Sequence, residues 1–246
     1  MRSRLTGAQL SALYDLENRW AEDDDFFFDF VNEQANRRVL DLRCGTGRIT
    51  LALAAQGHDM VGVDPNPDSL AAARGKPGAD GVRWIAGTSA QIPEGEVFDV
   101  AIMTAHVAQA IHDDGEWSRT LADVHRALIP GGRLAFDSRD PDARAWEGWT
   151  PTATRRRHTL PDGTAVETWM ESDQLREGLV TLTEYRVLDE SSSETGTSML
   201  AFRPEEQLRR DLGAARFTVE RILGGWAGES VGSGQGELIV LARKPS

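Results

Sequence analysis

A single cysteine, Cys44, stands in 246 residues, which excludes an intramolecular disulfide and a cysteine-rich zinc site. No apolar run approaches the ~18 residues that a membrane-spanning helix needs. The N-terminal Met-Arg-Ser-Arg-Leu-Thr-Gly has no apolar signal core. The expected location is therefore the cytoplasm, with no membrane partner. Positive charge is scarce: 27 Lys and Arg against 39 Asp and Glu leave a net charge of −12. A nucleic-acid partner is disfavoured, because affinity for a phosphate backbone comes largely from Lys and Arg. The one basic run, Arg155-Arg156-Arg157-His158, is too short to reverse that and reads as a solvated strand edge or an anion site. There is no internal repeat and no low-complexity linker.

What is present is an alternation. Two amphipathic helices, 8–20 and 26–36, flank the acidic run Glu22-Asp23-Asp24-Asp25, read as a solvated loop or a helix start. From residue 38, apolar strands at 39–42, 59–64, 82–86, 98–104 and 133–137 are separated by helical stretches. Continuous apolar runs of this kind indicate a parallel sheet covered on both faces. After Pro141 the period changes to two across 155–203, predicting an antiparallel insertion of about three strands. A helix at 204–214 and strands at 217–223 and 237–244 then complete the main sheet.

Residues 39–47, Val-Leu-Asp-Leu-Arg-Cys-Gly-Thr-Gly, carry the strongest functional signal. A strand ends in an acid, Asp41, and then in a turn where Gly45 and Gly47 let the backbone pass close to a ligand. The helix that follows directs its free N–H groups there. A bare strand-to-helix turn that needs small residues is the plainer alternative. A dinucleotide fingerprint would require a third glycine at position 50, which is Thr50. A second acid, Asp64, ends the next strand, where a carboxylate can accept hydrogen bonds from ribose hydroxyls.

Five segments follow in order: Val-Leu-Asp-Leu-Arg-Cys-Gly-Thr-Gly-Arg (39–48), Gly-Val-Asp-Pro-Asn-Pro (62–67), Ala-Gly-Thr-Ser-Ala-Gln-Ile-Pro (86–93), Phe-Asp-Val-Ala-Ile-Met-Thr (98–104) and Leu-Ile-Pro-Gly-Gly-Arg-Leu (128–134). Together they resemble the successive motifs of class I S-adenosylmethionine (SAM)-dependent methyltransferases. The resemblance implies an α/β fold with a doubly wound, seven-stranded, mostly parallel, Rossmann-like sheet whose last strand is antiparallel. It also implies an N-terminal helical lid over 1–36, a SAM-binding domain over 37–140 and 204–246, and an antiparallel β substrate lid over 141–203. Carried over by position, Asp41, Gly45 and Gly47 would hold the methionine end of SAM and Asp64 the ribose, with Pro65 beside it. Thr88 and Ser89 would flank the adenine, Thr104 and His106 would line the floor near the methyl, and Tyr14 would close over the cofactor. Two positions depart from the family pattern: Arg43 replaces a usual glycine, and Thr88 a frequent acid. If position 43 needs φ > 0, Arg43 is strained there by ~1–2 kcal/mol; its guanidinium could instead pair with the SAM carboxylate.

On the acceptor side, His106 is the candidate general base or substrate orienter, against a His that only packs or caps. Gln109, Arg139, Trp20, Trp146, Trp169 and Tyr185 are candidate substrate contacts, the aromatics forming either an apolar wall or a small core beneath the lid. Asp137 ends the same strand as Arg139. His58 and His125 read as structural, His112 as surface. No residue is assigned to a metal. The expected reaction is methyl transfer from SAM to N or O of a small molecule, by a monomer or homodimer. The alternatives are an inactive SAM-binding module and, further off, an NAD(P)-dependent reductase.

Overall fold

The computed structural model describes residues 4–189 and 192–246. Met1, Arg2, Ser3, Glu190 and Ser191, touched by the readings of the N-terminus and of the 155–203 insertion, lie outside them. Two helices lead, α1 (Gly7–Glu17) and α2 (Glu22–Asn32), before β1 (Arg38–Leu42), α3 (Arg48–Ala55), β2 (Asp59–Asp64), α4 (Pro67–Arg74) and β3 (Val82–Ala86). The chain continues through β4 (Phe98–Met103), α5 (Val107–Ala110), α6 (Asp114–Ala127) and β5 (Leu128–Arg139). Then come α7 (Pro151–Thr154), β6 (Arg156–Thr159), β7 (Ala165–Ser172), β8 (Leu179–Asp189), β9 (Ser192–Ala201), α8 (Glu205–Ala214), β10 (Thr218–Leu223) and β11 (Glu237–Arg243).

Seven strands form one sheet in the order β10-β11-β5-β4-β1-β2-β3, with β11 antiparallel to both neighbours. β1 is the switch point: the chain builds outward through β2 and β3, then returns to lay β4 on the other side. Ligands of such sheets bind outside the carboxyl ends of strands at this reversal. Two apolar layers cover the faces, one around Trp117, Phe136 and Leu212, the other around Phe27, Leu53 and Met60.

The acidic run makes the first turn of α2, where carboxylates complement the positive end of the helix. The insertion has four strands, β6-β7-β8-β9, rather than three. β6 is the basic run on the sheet edge, with Arg155 and Arg157 both paired to Glu167 of β7. One face of this small sheet meets α1 through Leu160 and Val166 against Leu5 and Leu13. Among the described residues no helix is long and apolar enough to cross a membrane.

Candidate functional site

The turn after β1 is built on left-handed backbone: Arg43, Gly45 and Gly47 have φ of 60°, 56° and 77°. Gly47 is needed twice over, because a Cβ there would lie 2.6 Å from Trp84 Cη2. Trp84, on β3, packs equally close to Gly62. Asp41 is fully buried. The Thr50 hydroxyl donates to its Oδ2 at 2.5 Å, while Oδ1 has no partner among the described residues. Burial pushes this carboxyl up to about 7, against the lowering effect of the Thr50 hydrogen bond. An anion in that state fits a ligand bearing a cation, as the methionine end of SAM does.

Asp64 ends β2 alongside the turn. Its two oxygens accept from the Gly45 amide at 2.8 Å and the Asn66 amide at 2.7 Å, so each keeps lone-pair capacity for a ligand hydroxyl. Pro65 is exposed at the entry to α4. Burial pushes the Cys44 thiol up, as do Asp41 and Asp64, making it a poor nucleophile.

The helix α1 is pinned across this turn. Asp15 accepts from the Thr46 hydroxyl at 2.5 Å and pairs with Lys76 at 2.7 Å, and Lys76 Nζ also donates to the Thr46 carbonyl. Tyr14 hangs over Gly45, its ring 3.9 Å from where a Cβ would stand. The other end of the candidate site is less uniform. Thr88 remains partly open, while Ser89 is buried and donates to Asp123 of α6 at 2.8 Å. Arg43 does adopt φ > 0, and its guanidinium lies 3.4 Å from Glu116 of α6.

A second cluster forms at the carboxyl ends of β4 and β5. Beyond Thr104, Ala105 and His106 both take left-handed backbone, φ 57° and 60°. Asp137 Oδ2 accepts the His106 amide at 2.8 Å. The imidazole Nε2 lies 2.9 Å from Glu237 Oε2 and 3.3 Å from Asp137 Oδ2. Asp137 is fully buried, its Oδ1 has no partner among the described residues, and burial pushes its carboxyl up to about 6. Arg139 donates to Gln109 Oε1 at 2.9 Å and lies over the Trp149 ring. Desolvation lowers the Arg139 pKa, with Glu237 and Asp137 acting the other way.

The aromatics divide. Trp146 packs edge-on to Phe202 within a small core that includes Val180. Trp20 is 41% exposed and donates to Asp25. Trp169 and Tyr185 stack at 5.1 Å with Arg155 over the indole. They share a face of the small sheet opposite to Val166 and Thr168, the residues that meet α1. The structure therefore brings His106, Gln109 and Arg139 together and leaves Trp169 and Tyr185 on another surface. His58 and His125 are structural, one hydrogen-bonded to Arg37 and Asn32, the other packed on Phe217.

Four residues escaped sequence reasoning. Thr50 stands out in the sequence only as a missing glycine, and Asp15, Trp84 and Glu237 carry no motif. Glu237 could have been found by pairing an antiparallel last strand with β5, where Glu237 faces Arg139.

Residues 39–132 match the family model described as a methyltransferase domain. The fold described above is also that of a solved S-adenosylmethionine-dependent methyltransferase from Clostridium acetobutylicum, which superposes with a TM-score of 0.74 at 16% identity over 96% of this chain and 98% of that one. The uncharacterized methyltransferase Rv3342 of Mycobacterium tuberculosis is 37% identical over 124 residues, 49% of this chain and 46% of its own length. The chain thus spans about half the length of the curated relatives it matches. DesVI of Streptomyces venezuelae superposes with a TM-score of 0.75 at 17% identity, covering 99% of this chain and all of that one. CalS10 of Micromonospora echinaspora, an amino pentose methyltransferase, gives 0.68 at 20% identity over the same shares.

Proposed function

We propose that this protein transfers the methyl group of SAM to a nitrogen or oxygen of a small molecule. The observation that carries the reading is Asp41, wholly buried at the glycine turn with one oxygen unpartnered. Asp41 and the turn amides take the methionine end, Asp64 and Pro65 the ribose, and Tyr14 covers the cofactor. Thr88 stands at the adenine end and Thr104 on the floor, while the hydroxyl of Ser89 serves α6.

When bound, SAM supplies an electrophilic methyl and a good leaving group, so the chain has chiefly to align the acceptor and exclude water. Residues 1–36 and the 141–203 insertion form the cover; 37–140 and 204–246 form the cofactor domain. His106 is the proton acceptor. With its proton on Nε2 held by Glu237, Nδ1 has no hydrogen-bond partner among the described residues and is free to take a proton. The acceptor is a small molecule, as the amino pentose substrate class named for CalS10 supports.

The test is calorimetry with SAM and with NAD, followed by S-adenosylhomocysteine release over an acceptor panel. SAM binding without NAD binding is expected, and Asp64→Ala should weaken it at least tenfold, about 1.4 kcal/mol. No heat with SAM at ~1 mM, a level that catches even weak ligands, would discard the reading. SAM binding without turnover on any acceptor would leave a binding module instead.

A further inference from the structure

We infer that the methyl acceptor is an amine that enters as its ammonium ion and is held by Asp137 and Glu237, with His106 placed to take its proton. This rests on the methyltransferase reading above and narrows it from nitrogen or oxygen to nitrogen.

The charges around His106 are unbalanced. Two carboxylates converge on one imidazole nitrogen, at 2.9 and 3.3 Å. A single N–H on Nε2 serves one of them, and the other faces it without a proton between. Asp137 is fully buried and has an oxygen with no partner among the described residues. A buried anion left so is costly unless a cation arrives.

The cluster's own side chains favour a monovalent cation. Asp137 and Glu237 contribute two negative charges, and Arg139, opposite Glu237 in the β5–β11 pairing, contributes one positive. With one proton on His106 these side chains, counted without the cofactor, sum to minus one. A monovalent ammonium matches them. A divalent metal ion overshoots, although the three side chains do offer ligand atoms within 4.8 Å of one another. A hydroxyl acceptor brings no charge to the two carboxylates. Gln109 fixes Arg139 from one side and Trp149 from the other, so the guanidinium is held as a wall of the site.

The backbone supports the same assignment. Ala105 and His106 both sit at φ near 60°, a strained conformation for residues with a Cβ. Asp137 sustains it by accepting the His106 amide. The cluster also lies one strand from the cofactor turn, since Asp41 of β1 pairs with Ile102 of β4.

An ammonium nitrogen has no lone pair, and it would be repelled by a sulfonium. It therefore gives a proton to His106 Nδ1. The freed lone pair forms the N–C bond as the C–S bond of SAM breaks, the electron pair leaving on sulfur. The imidazolium is stabilised by the two carboxylates and returns its proton to water.

The experiment is an NMR titration of the histidine side chains in the full chain, with His106→Gln identifying the His106 signals among five histidines. Methylammonium is the probe, with methanol and Mn²⁺ as comparators. Methylammonium should shift the His106 ring signals saturably in the tens-of-millimolar range that so small an ion allows. Binding should weaken at least tenfold in Glu237→Gln and in Asp137→Asn, and methanol should have no effect. Asp137→Asn removes a support of the loop, so Glu237→Gln carries the result if the first variant unfolds.

No saturable shift up to ~200 mM methylammonium, or an equal response to methanol, would overturn the inference. Tight one-to-one Mn²⁺ binding lost in both variants would replace it with a metal site. SAM calorimetry run in parallel separates the two readings: if SAM fails to bind while methylammonium still shifts His106, the cofactor assignment fails alone.

Discussion

Asp41 is held in a state that its own hydrogen bond does not satisfy. Thr50 occupies one oxygen, yet burial keeps the carboxyl near 7, far above the ~4 of an exposed aspartate. A carboxyl raised on folding means the folded chain keeps a proton that the unfolded chain has released. Between about pH 4 and 7 this group therefore makes stability fall as pH rises, by up to ~1.4 kcal/mol per unit. A bound cation reverses the preference, because it favours the ionised form. Calorimetry should find SAM affinity rising with pH from ~5.5 towards ~7.5, and Asp41→Asn should flatten the rise. A profile already flat in the unmodified chain would remove Asp41 from the cofactor site. Thr50→Val should cost ~1–3 kcal/mol in denaturant unfolding, by leaving both oxygens of a buried carboxylate unpaired.

Gly47 provides a second residue-scale test, in which two causes can be separated. Alanine there meets both an unfavourable φ of 77° and the Trp84 ring. Gly47→Ala should destabilise by ~2 kcal/mol or more. Adding Trp84→Leu should recover the steric part and leave the ~1 kcal/mol conformational part. Simple additivity of the two losses in urea melts would show that the ring is not in the way.

At the scale of elements, α1 acts as a tie between two bodies. Asp15 fastens it to the cofactor turn through Thr46 and Lys76. Gln9 reaches Asp162 and Thr164, and Glu17 reaches Thr168 and His158 of the small sheet. The Lys76–Asp15 pair is about one-third exposed on both sides, so it contributes no more than ~1 kcal/mol to stability. Its larger effect is on local opening. Asp15→Ala should speed amide exchange through α1 while leaving β1 and β4 unchanged, and should raise the KM for SAM more than it lowers kcat. Unaltered exchange in α1 would mean that apolar packing alone holds the helix.

The same elements show why some of the fold could be read and some could not. β1, β2 and β4 are continuous apolar runs because both faces are covered, and such runs announce themselves. β6, Arg-Arg-His-Thr, has no apolar alternation, because an edge strand paired on one side can be wholly polar. The period-two pattern therefore shows only three of the four strands of the insertion. α5 spans four residues, too few for a period to register. Asp41, Asp64 and His106 were legible as acids at strand ends and a histidine beyond one. The partners that give them their chemistry were not: Thr50 acts across a helical turn, and Glu237 arrives from a strand 131 residues away in sequence. Those contacts exist only once the sheet order is set.

At the scale of the whole molecule, apolar packing is unevenly distributed. The seven-stranded sheet carries two extensive layers, whereas the four-stranded sheet joins the rest through small clusters around Leu13 and Val166 and around Trp146 and Phe202. Cooperative units follow buried contact density, so the small sheet and α1 should open before the main sheet does. Leu13 is 2% exposed at the centre of the first small cluster. Leu13→Ala removes buried methyl groups and leaves a cavity, a change that costs ~2–5 kcal/mol in a core. If the small sheet is a separate unit, that cost appears as faster amide exchange in α1 and β6–β9, with β1, β4 and β5 still exchanging only by global unfolding. If exchange accelerates equally in both sheets, the molecule unfolds as one body. The small sheet and α1 would then move only with the whole chain.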